Sequence, residues 1–228
     1  MAKLRYLGHS AFEIELAGLD GRERRVLVDP WLENPLSPVR VSDYSGKRVD
    51  YIFVTHDHAD HLGNAFELAK LTGAVVVGIF ELAARAQGMG LRAVGGNVGG
   101  ELRLEGLRAW LVPAVHSSAA GSPVGVVVQG RDATIYHAGD TGITKDMELV
   151  GELYSPDVAL LPIGGHFTMG VREAARAVAM LRPRVAIPMH YNTFPEIRAD
   201  PEEFRRLVEA TTRTRVVVLR PGEEFEYV

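Results

Sequence analysis

The chain has 228 residues, 46% hydrophobic and 24% charged, with a formal net charge of -4 and no cysteine. That length and apolar content suit one large layered domain, expected to span residues 1–228. The mild acidity and the lack of a long Lys/Arg run give nucleic acid no handle, and the missing thiols exclude a disulfide framework, a thiolate metal site and a Cys nucleophile. No apolar run approaches the ~18 residues of a bilayer span, and the opening Met1-Ala2-Lys3-Leu4-Arg5-Tyr6 lacks the apolar stretch of a signal peptide. The expectation is a cytoplasmic protein with a small-molecule substrate and no membrane partner, homo-oligomerisation being left open.

In chain order, strands are expected over residues 4–7, 11–16 and 25–28, the second alternating Phe12, Ile14 and Leu16 with Glu13 and Glu15. Gly18, Asp20 and Gly21 supply the turn between the last two. Residues 30–49 lose the pattern and exceed the ~4–6 residues of an ordinary connection, so they read either as a lid or substrate wall or as a surface excursion. An apolar strand over 51–54 then leads into Thr55-His56-Asp57-His58-Ala59-Asp60-His61. A helix over 62–71 stops at Gly73, followed by a strand over 74–77 and a helix over 81–87. Short strands over 102–104, 109–115, 124–128 and 134–137 come next, the last running into Ala138-Gly139-Asp140. The rest alternates helix 144–153, strand 158–162, helix 170–181, strand 185–188, helix 201–211 and strand 215–219. Two halves of this kind predict an α/β (α+β) protein with two sheets stacked face to face and helices outside.

The chain contains eight histidines, and a lone His is usually a satisfied hydrogen-bonding residue. His56, His116, His137, His166 and His190 differ, because each follows an apolar strand-like run. The carboxyl ends of strands gather at one rim of an α/β protein, where sites are built. Inside the motif, His56 and His58 leave an extended chain on the same side and can grip one ion. Asp60 and His61 follow a bend and can aim at a second. Zinc takes about four ligands, so two ions need further donors, and His116, Asp140 and His190 are the strand-end residues available.

Thr55-His56-Asp57-His58-Ala59-Asp60-His61-Leu62-Gly63 resembles the HxHxDH signature of the metallo-β-lactamase-fold hydrolases. His116, Gly139-Asp140 and His190 fall, in order, where that superfamily carries its later ligands. The resemblance covers nearly the whole chain and implies a four-layer αββα sandwich of two stacked mixed sheets. Tyr6-Leu7-Gly8-His9-Ser10-Ala11-Phe12, the run from Pro162 to Met169 and Pro188-Met189-His190-Tyr191 resemble a subgroup of small metal-dependent hydrolases. They are more distantly similar to ascorbate-6-phosphate lactonase and the N-acyl phosphatidylethanolamine phosphodiesterases.

The resemblance implies one metal on His56, His58 and His116, a second on Asp60, His61 and His190, and Asp140 bridging them. Two divalent ions are expected, with zinc favoured and manganese or iron as alternatives, because N and O donors do not fix metal identity. A hydroxide bridging the ions would attack a small, anionic ester, lactone or phosphodiester. Asp60 and His166 are the catalytic candidates, His166 as proton donor to the leaving group. Asp29, Thr55 and His137 are expected to orient ligands, and His9 and Asn192 to line the substrate pocket with Phe167 and Phe194. Thr168 is expected to cap the helix that begins near Gly170. Two other functions compete. One is an iron-dependent oxygen or redox enzyme on the same fold, although the diiron type carries Glu where His58 stands. The other is a catalytically silent binding module, which the complete ligand set opposes.

Overall fold

The N-terminal alternation becomes an antiparallel ladder in the computed structural model, which describes residues 1–228. Its strands are β1 (Ala2–Tyr6), β2 (Phe12–Ala17) and β3 (Glu23–Val28). Leu4, Ile14 and Val26 lie side by side in register and are buried. The next three strands, β4 (Tyr51–Val54), β5 (Val75–Ile79) and β6 (Ala93–Gly96), add in parallel after β3.

The second sheet repeats that plan. Its antiparallel part is β7 (Glu101–Leu104), β8 (Leu107–Pro113), β9 (Val124–Gln129) and β10 (Thr134–His137). Its parallel part continues from β10 through β11 (Val158–Pro162), β12 (Val185–Met189) and β13 (Arg215–Val216). A last strand, β14 (Glu224–Tyr227), returns to the first sheet and pairs antiparallel with β1. The pairing changes from antiparallel to parallel at β3/β4 and at β10/β11.

Period-two patterning decides which layer each side chain joins. Val124, Val126 and Val128 of β9, with Val158 and Leu160 of β11, pack into the core shared with the first sheet. Their neighbours Val127, Ala159 and Leu161 pack instead with the helices α4 (Asp146–Tyr154), α5 (Val171–Leu181) and α6 (Pro201–Thr211). Helix α5 buries Ala174, Ala177, Val178 and Leu181, a stripe at helical spacing. Helix α6 starts with Asp200 accepting the Glu202 N–H at 2.9 Å and Pro201 in the first helical position. On the other flank, α1 (Ala59–Leu62), α2 (Ala65–Thr72) and α3 (Phe80–Gly88) accompany β4 and β5, giving the four layers. No helix is long and apolar enough to cross a membrane.

Several local expectations need correction. The helix expected over 62–71 is broken at Gly63, whose φ is 42° and where a Cβ would approach Trp31 Cα to 2.5 Å. The close passage of the loop after β3 forces the bend. Strands β6 and β14 carried too little signal, since one is Ala-Val-Gly-Gly and the other is a four-residue Glu-Phe-Glu-Tyr. The strand expected over 215–219 stops at Val216. Thr168 does not cap α5: Gly170 occupies the N-cap with extended backbone, and the Thr168 hydroxyl donates to Met169 O at 3.3 Å. Within residues 30–49, Leu32, Asn34, Val39 and Tyr44 are buried, and the Tyr44 hydroxyl donates to Glu13 Oε2 at 2.8 Å. Much of this loop is therefore fastened to the first sheet.

Candidate metal centre

The carboxyl ends of β4, β8, β10 and β12 deliver His56, His116, Asp140 and His190 to one rim. Candidate ligand atoms of His56, His58 and His116 lie within 4.8 Å of one another, and so do those of His9, Asp60, His61 and His190. A third group, His56, His61 and Asp140, connects the two. In the first set, His56 Nε2 faces His58 Nδ1 at 3.0 Å. Asp140 stands between the sets, its carboxylate 3.2 Å from His61 Nε2, 3.0 Å from His190 Nε2 and 3.5 Å from His116 Nε2.

One carboxylate orients both sets. Asp29 is fully buried at the end of β3, with Oδ1 accepting the Thr55 N–H at 2.8 Å. Its Oδ2 accepts the Thr55 hydroxyl and His61 Nδ1–H, each at 2.7 Å. The Thr55 hydroxyl oxygen in turn accepts from His56 Nδ1–H at 3.0 Å. The Nδ1 proton of His56 and that of His61 are thus fixed, leaving both Nε2 lone pairs to face the centre. His137 holds the next segment: its Nε2–H donates to Ser10 O at 2.9 Å and its Nδ1 accepts the Gly139 N–H at 3.1 Å, seating the turn that carries Asp140.

Asp57 was legible only as a spacer inside the motif. Its Oδ1 accepts from the Ser118 hydroxyl at 3.0 Å and from Ala119 N–H at 2.8 Å, fastening the loop that carries His116 to the His56–His58 segment. The available signal was a carboxylate between two ligands facing a Ser-Ser pair beside another ligand.

Electrostatics sharpen the picture. Burial works against ionising Asp140, but His61 and His190 hold it well below the usual carboxylate range. Asp60 is also lowered, because the hydrogen bond from His9 and the charge of His61 outweigh its burial. Burial depresses His56 to about 3, with His61 adding to the effect. His61 goes the other way: burial would lower it, yet Asp140 and Asp29 on either side hold it well above the ordinary imidazole value.

His61 Nε2, Asp140 Oδ1 and His190 Nε2 are all buried without a hydrogen-bond partner. Orphaned buried groups of this kind are costly, each ~1–3 kcal/mol. A proton on His61 would satisfy one of them, whereas a divalent cation among the lone pairs satisfies several together. Imidazole nitrogens and carboxylate oxygens are the donors that zinc, manganese and iron accept, so the residues fit a metal.

The remaining candidates divide. His9 is fully buried rather than set in an open pocket wall, and its Nε2 lies 3.2 Å from Asp60 Oδ2. Asn192 is exposed, its amide nitrogen donating to Ala199 O at 3.1 Å and its amide oxygen accepting from Ala199 N–H at 3.0 Å. His166 is exposed with φ 57°, on a turn tied to the Asp140 loop by the Met169 N–H to Thr141 O bond of 2.9 Å. Phe167 is exposed beside it, the two rings edge-on with centroids 4.4 Å apart. Phe194 stacks on Trp31 with ring centroids 5.9 Å apart, and both rings also contact His9.

Residues 24–191 match the model of a family described as the Beta-lactamase superfamily domain. The chain is 70% identical over its whole length to a UPF0173 metal-dependent hydrolase of Thermofilum pendens, which it also covers completely. It is 64% identical to the corresponding protein of Staphylothermus marinus, again with full coverage of both chains. Among solved structures, a metallo hydrolase from the hyperthermophilic archaeon Ignicoccus hospitalis superposes with a TM-score of 0.92 at 44% identity, covering 100% of this chain and 99% of that one.

Proposed function

The chain belongs to the β-lactamase superfamily and is a metal-dependent hydrolase of the metallo-β-lactamase fold, and on that premise we propose a dinuclear centre that hydrolyses a small anionic ester, lactone or phosphodiester. His56, His58 and His116 would hold one ion and Asp60, His61 and His190 the other, with Asp140 reaching both. The observation that carries this reading is the cluster of buried atoms without hydrogen-bond partners, His61 Nε2, Asp140 Oδ1 and His190 Nε2, at the point where the donor groups meet. His61 already spends its Nδ1 proton on Asp29.

When bound, two divalent ions, zinc in this reading, supply a water-derived nucleophile near neutral pH and polarise the oxygen of the scissile group. The chain's own part is positional and acid–base. Asp29 keeps the Nε2 lone pairs of His56 and His61 aimed, directly for His61 and through Thr55 for His56. Asp60, whose side chain is 28% exposed against 4% for Asp140, is the carboxylate open to the attacking water and can accept its hydrogen bond. His166, exposed beside the Asp140 loop, donates the proton to the leaving group. Trp31 and Phe194, stacked and half-buried, wall the Asp60 side.

Metal analysis coupled to a hydrolysis panel of lactones, phosphodiesters and esters tests the reading. Two ions per chain are expected, with activity lost on chelation and restored by zinc; hydrolysis persisting in metal-free protein contradicts it. For His166→Ala, kcat should fall ~100-fold or more with metal content unchanged. An unchanged kcat would remove the proton-donor role.

A further inference from the structure

The β1–β2 turn reaches across the sandwich to the proposed second ion site, and His9 at its tip has no exposed surface. Its ring bridges two segments. Nε2 lies 3.2 Å from Asp60 Oδ2, and Nδ1 lies 3.0 Å from the Thr193 hydroxyl, on the chain just beyond β12. A carboxylate oxygen only accepts, so Nε2 carries a proton and donates it to Asp60. The ring cannot rotate away, because it is packed between Trp31, Phe194 and His190, with centroids at 5.2, 5.4 and 4.2 Å.

The backbone of the same residue serves the same site. His9 O accepts the Tyr6 hydroxyl at 2.9 Å and the His190 N–H at 2.8 Å. One residue therefore touches Asp60 with its ring and His190 with its carbonyl. Holding it there requires a left-handed φ of 54°, uncommon for a residue with a side chain and typical of positions that the surroundings force. Gly8, just before it, has φ 91° and passes so near Asn34 that a Cβ would meet Asn34 Oδ1 at 2.6 Å. Asn34 holds that passage by donating to Leu7 O at 3.1 Å and Trp31 O at 2.7 Å.

We propose that His9 is a positioning residue for the second ion: it fixes one oxygen of Asp60 by hydrogen bonding, leaving the other to bind, and seats His190 through its main chain. The inference rests on the two-ion reading above. Contacts behind a metal-binding carboxylate commonly tune metal affinity ~10–100-fold. Asp29 has that role for His56 and His61; His9 has it for Asp60, from the β1–β2 turn and with opposite polarity, as donor instead of acceptor.

The test is a competitive chelator titration on the full chain loaded with zinc, reading the two dissociation constants separately. Wild type should release two ions; a single ion would overturn the two-ion reading itself. His9→Ala should weaken the second ion ~10–100-fold and leave the first within a few-fold. His9→Gln, whose amide nitrogen can occupy the place of Nε2, should recover most of the loss. Thr193→Val, which removes the hydroxyl facing Nδ1 and its long 3.5 Å contact to Tyr191 O, should give a smaller loss on the same ion and covers the case in which a His9 variant fails to fold. Two ions bound by His9→Ala with wild-type affinities, equal weakening of both ions, or no recovery in His9→Gln would each overturn the proposal while leaving the two-ion reading in place.

Discussion

His56, His58 and His116 offer three imidazoles, and this set opens to solvent at His58 and His116. Asp60, His61 and His190 bring a carboxylate, approach Asp140 through His61 and His190 at 3.2 and 3.0 Å, and are sealed at those two residues. The supports differ in the same way. Asp29 reaches both sets, but Asp57 clips the first from a partly exposed loop, whereas the second is held directly by buried Asp29 and buried His9. The two sets of candidate ligands are thus delivered with unequal rigidity. The braced, anionic set should hold its ion more tightly, and the open set should exchange first.

The largest expected effect comes from Asp29, where the comparison should break down because both sets depend on it. Asp29→Ala leaves the Thr55 N–H, the Thr55 hydroxyl and His61 Nδ1 buried without their acceptor, which should cost ~3–5 kcal/mol in a denaturant titration. Both ions should weaken together. A selective loss of one would show that the Thr55 relay to His56 contributes nothing.

Asp57→Ala sharpens the contrast. The clip holds only the His116 loop, so the first ion should weaken ~10-fold in a chelator competition while the second is unchanged. Stability should change by no more than ~1 kcal/mol, since Asp57 is partly exposed. Equal weakening of both ions would mean that the two sets are mechanically one.

The unequal support is also the part of the site least legible in sequence. Among the candidate ligands His56, His116 and His190 stood out because each follows an apolar run, the full set came from the resemblance of the His56–His61 motif, and two stacked sheets with helices outside followed from strand runs alternating with helices. Asp57, by contrast, is one carboxylate among good ligands, and its partners Ser118 and Ala119 are more than 60 positions away along the chain. His9 could be suspected of lining the pocket, but its burial behind Asp60 depends on a left-handed turn and on Asn34. The bend at Gly63 was hidden for a similar reason: its cause is the backbone of Trp31, a tertiary neighbour. Local pattern reveals which side chains can bind, and long-range contact decides how firmly they are held.

A smaller effect should appear in the metal-free protein as a function of pH. Burial lowers His9 to about 4 and His56 to about 3, so the folded chain binds fewer protons at these rings than the unfolded chain, whose histidines titrate near ~6.5. Their contribution is fully present above pH ~6.5 and is lost as pH falls toward 4 and below. His61, raised by Asp140 and Asp29, acts oppositely: its contribution is present below ~6.5 and is lost as pH rises through its folded value. Burial lowers His116 and His137 as well, and the His61 contribution is retained over this range, so a net loss of several kcal/mol is expected between pH ~6.5 and ~4, measurable by urea titration of apo protein. A flat profile over that range would contradict the burial of His9 and His56 as neutral rings.

The central claim is that two unequal donor sets meet at Asp140. Anomalous diffraction from crystals of the zinc-loaded chain tests it most directly. The account predicts two peaks, one among His56, His58 and His116 and one among Asp60, His61 and His190, with the Asp140 carboxylate between them and the second peak retained longer under a chelator soak. A single peak, or two peaks with Asp140 bound to neither, would contradict it.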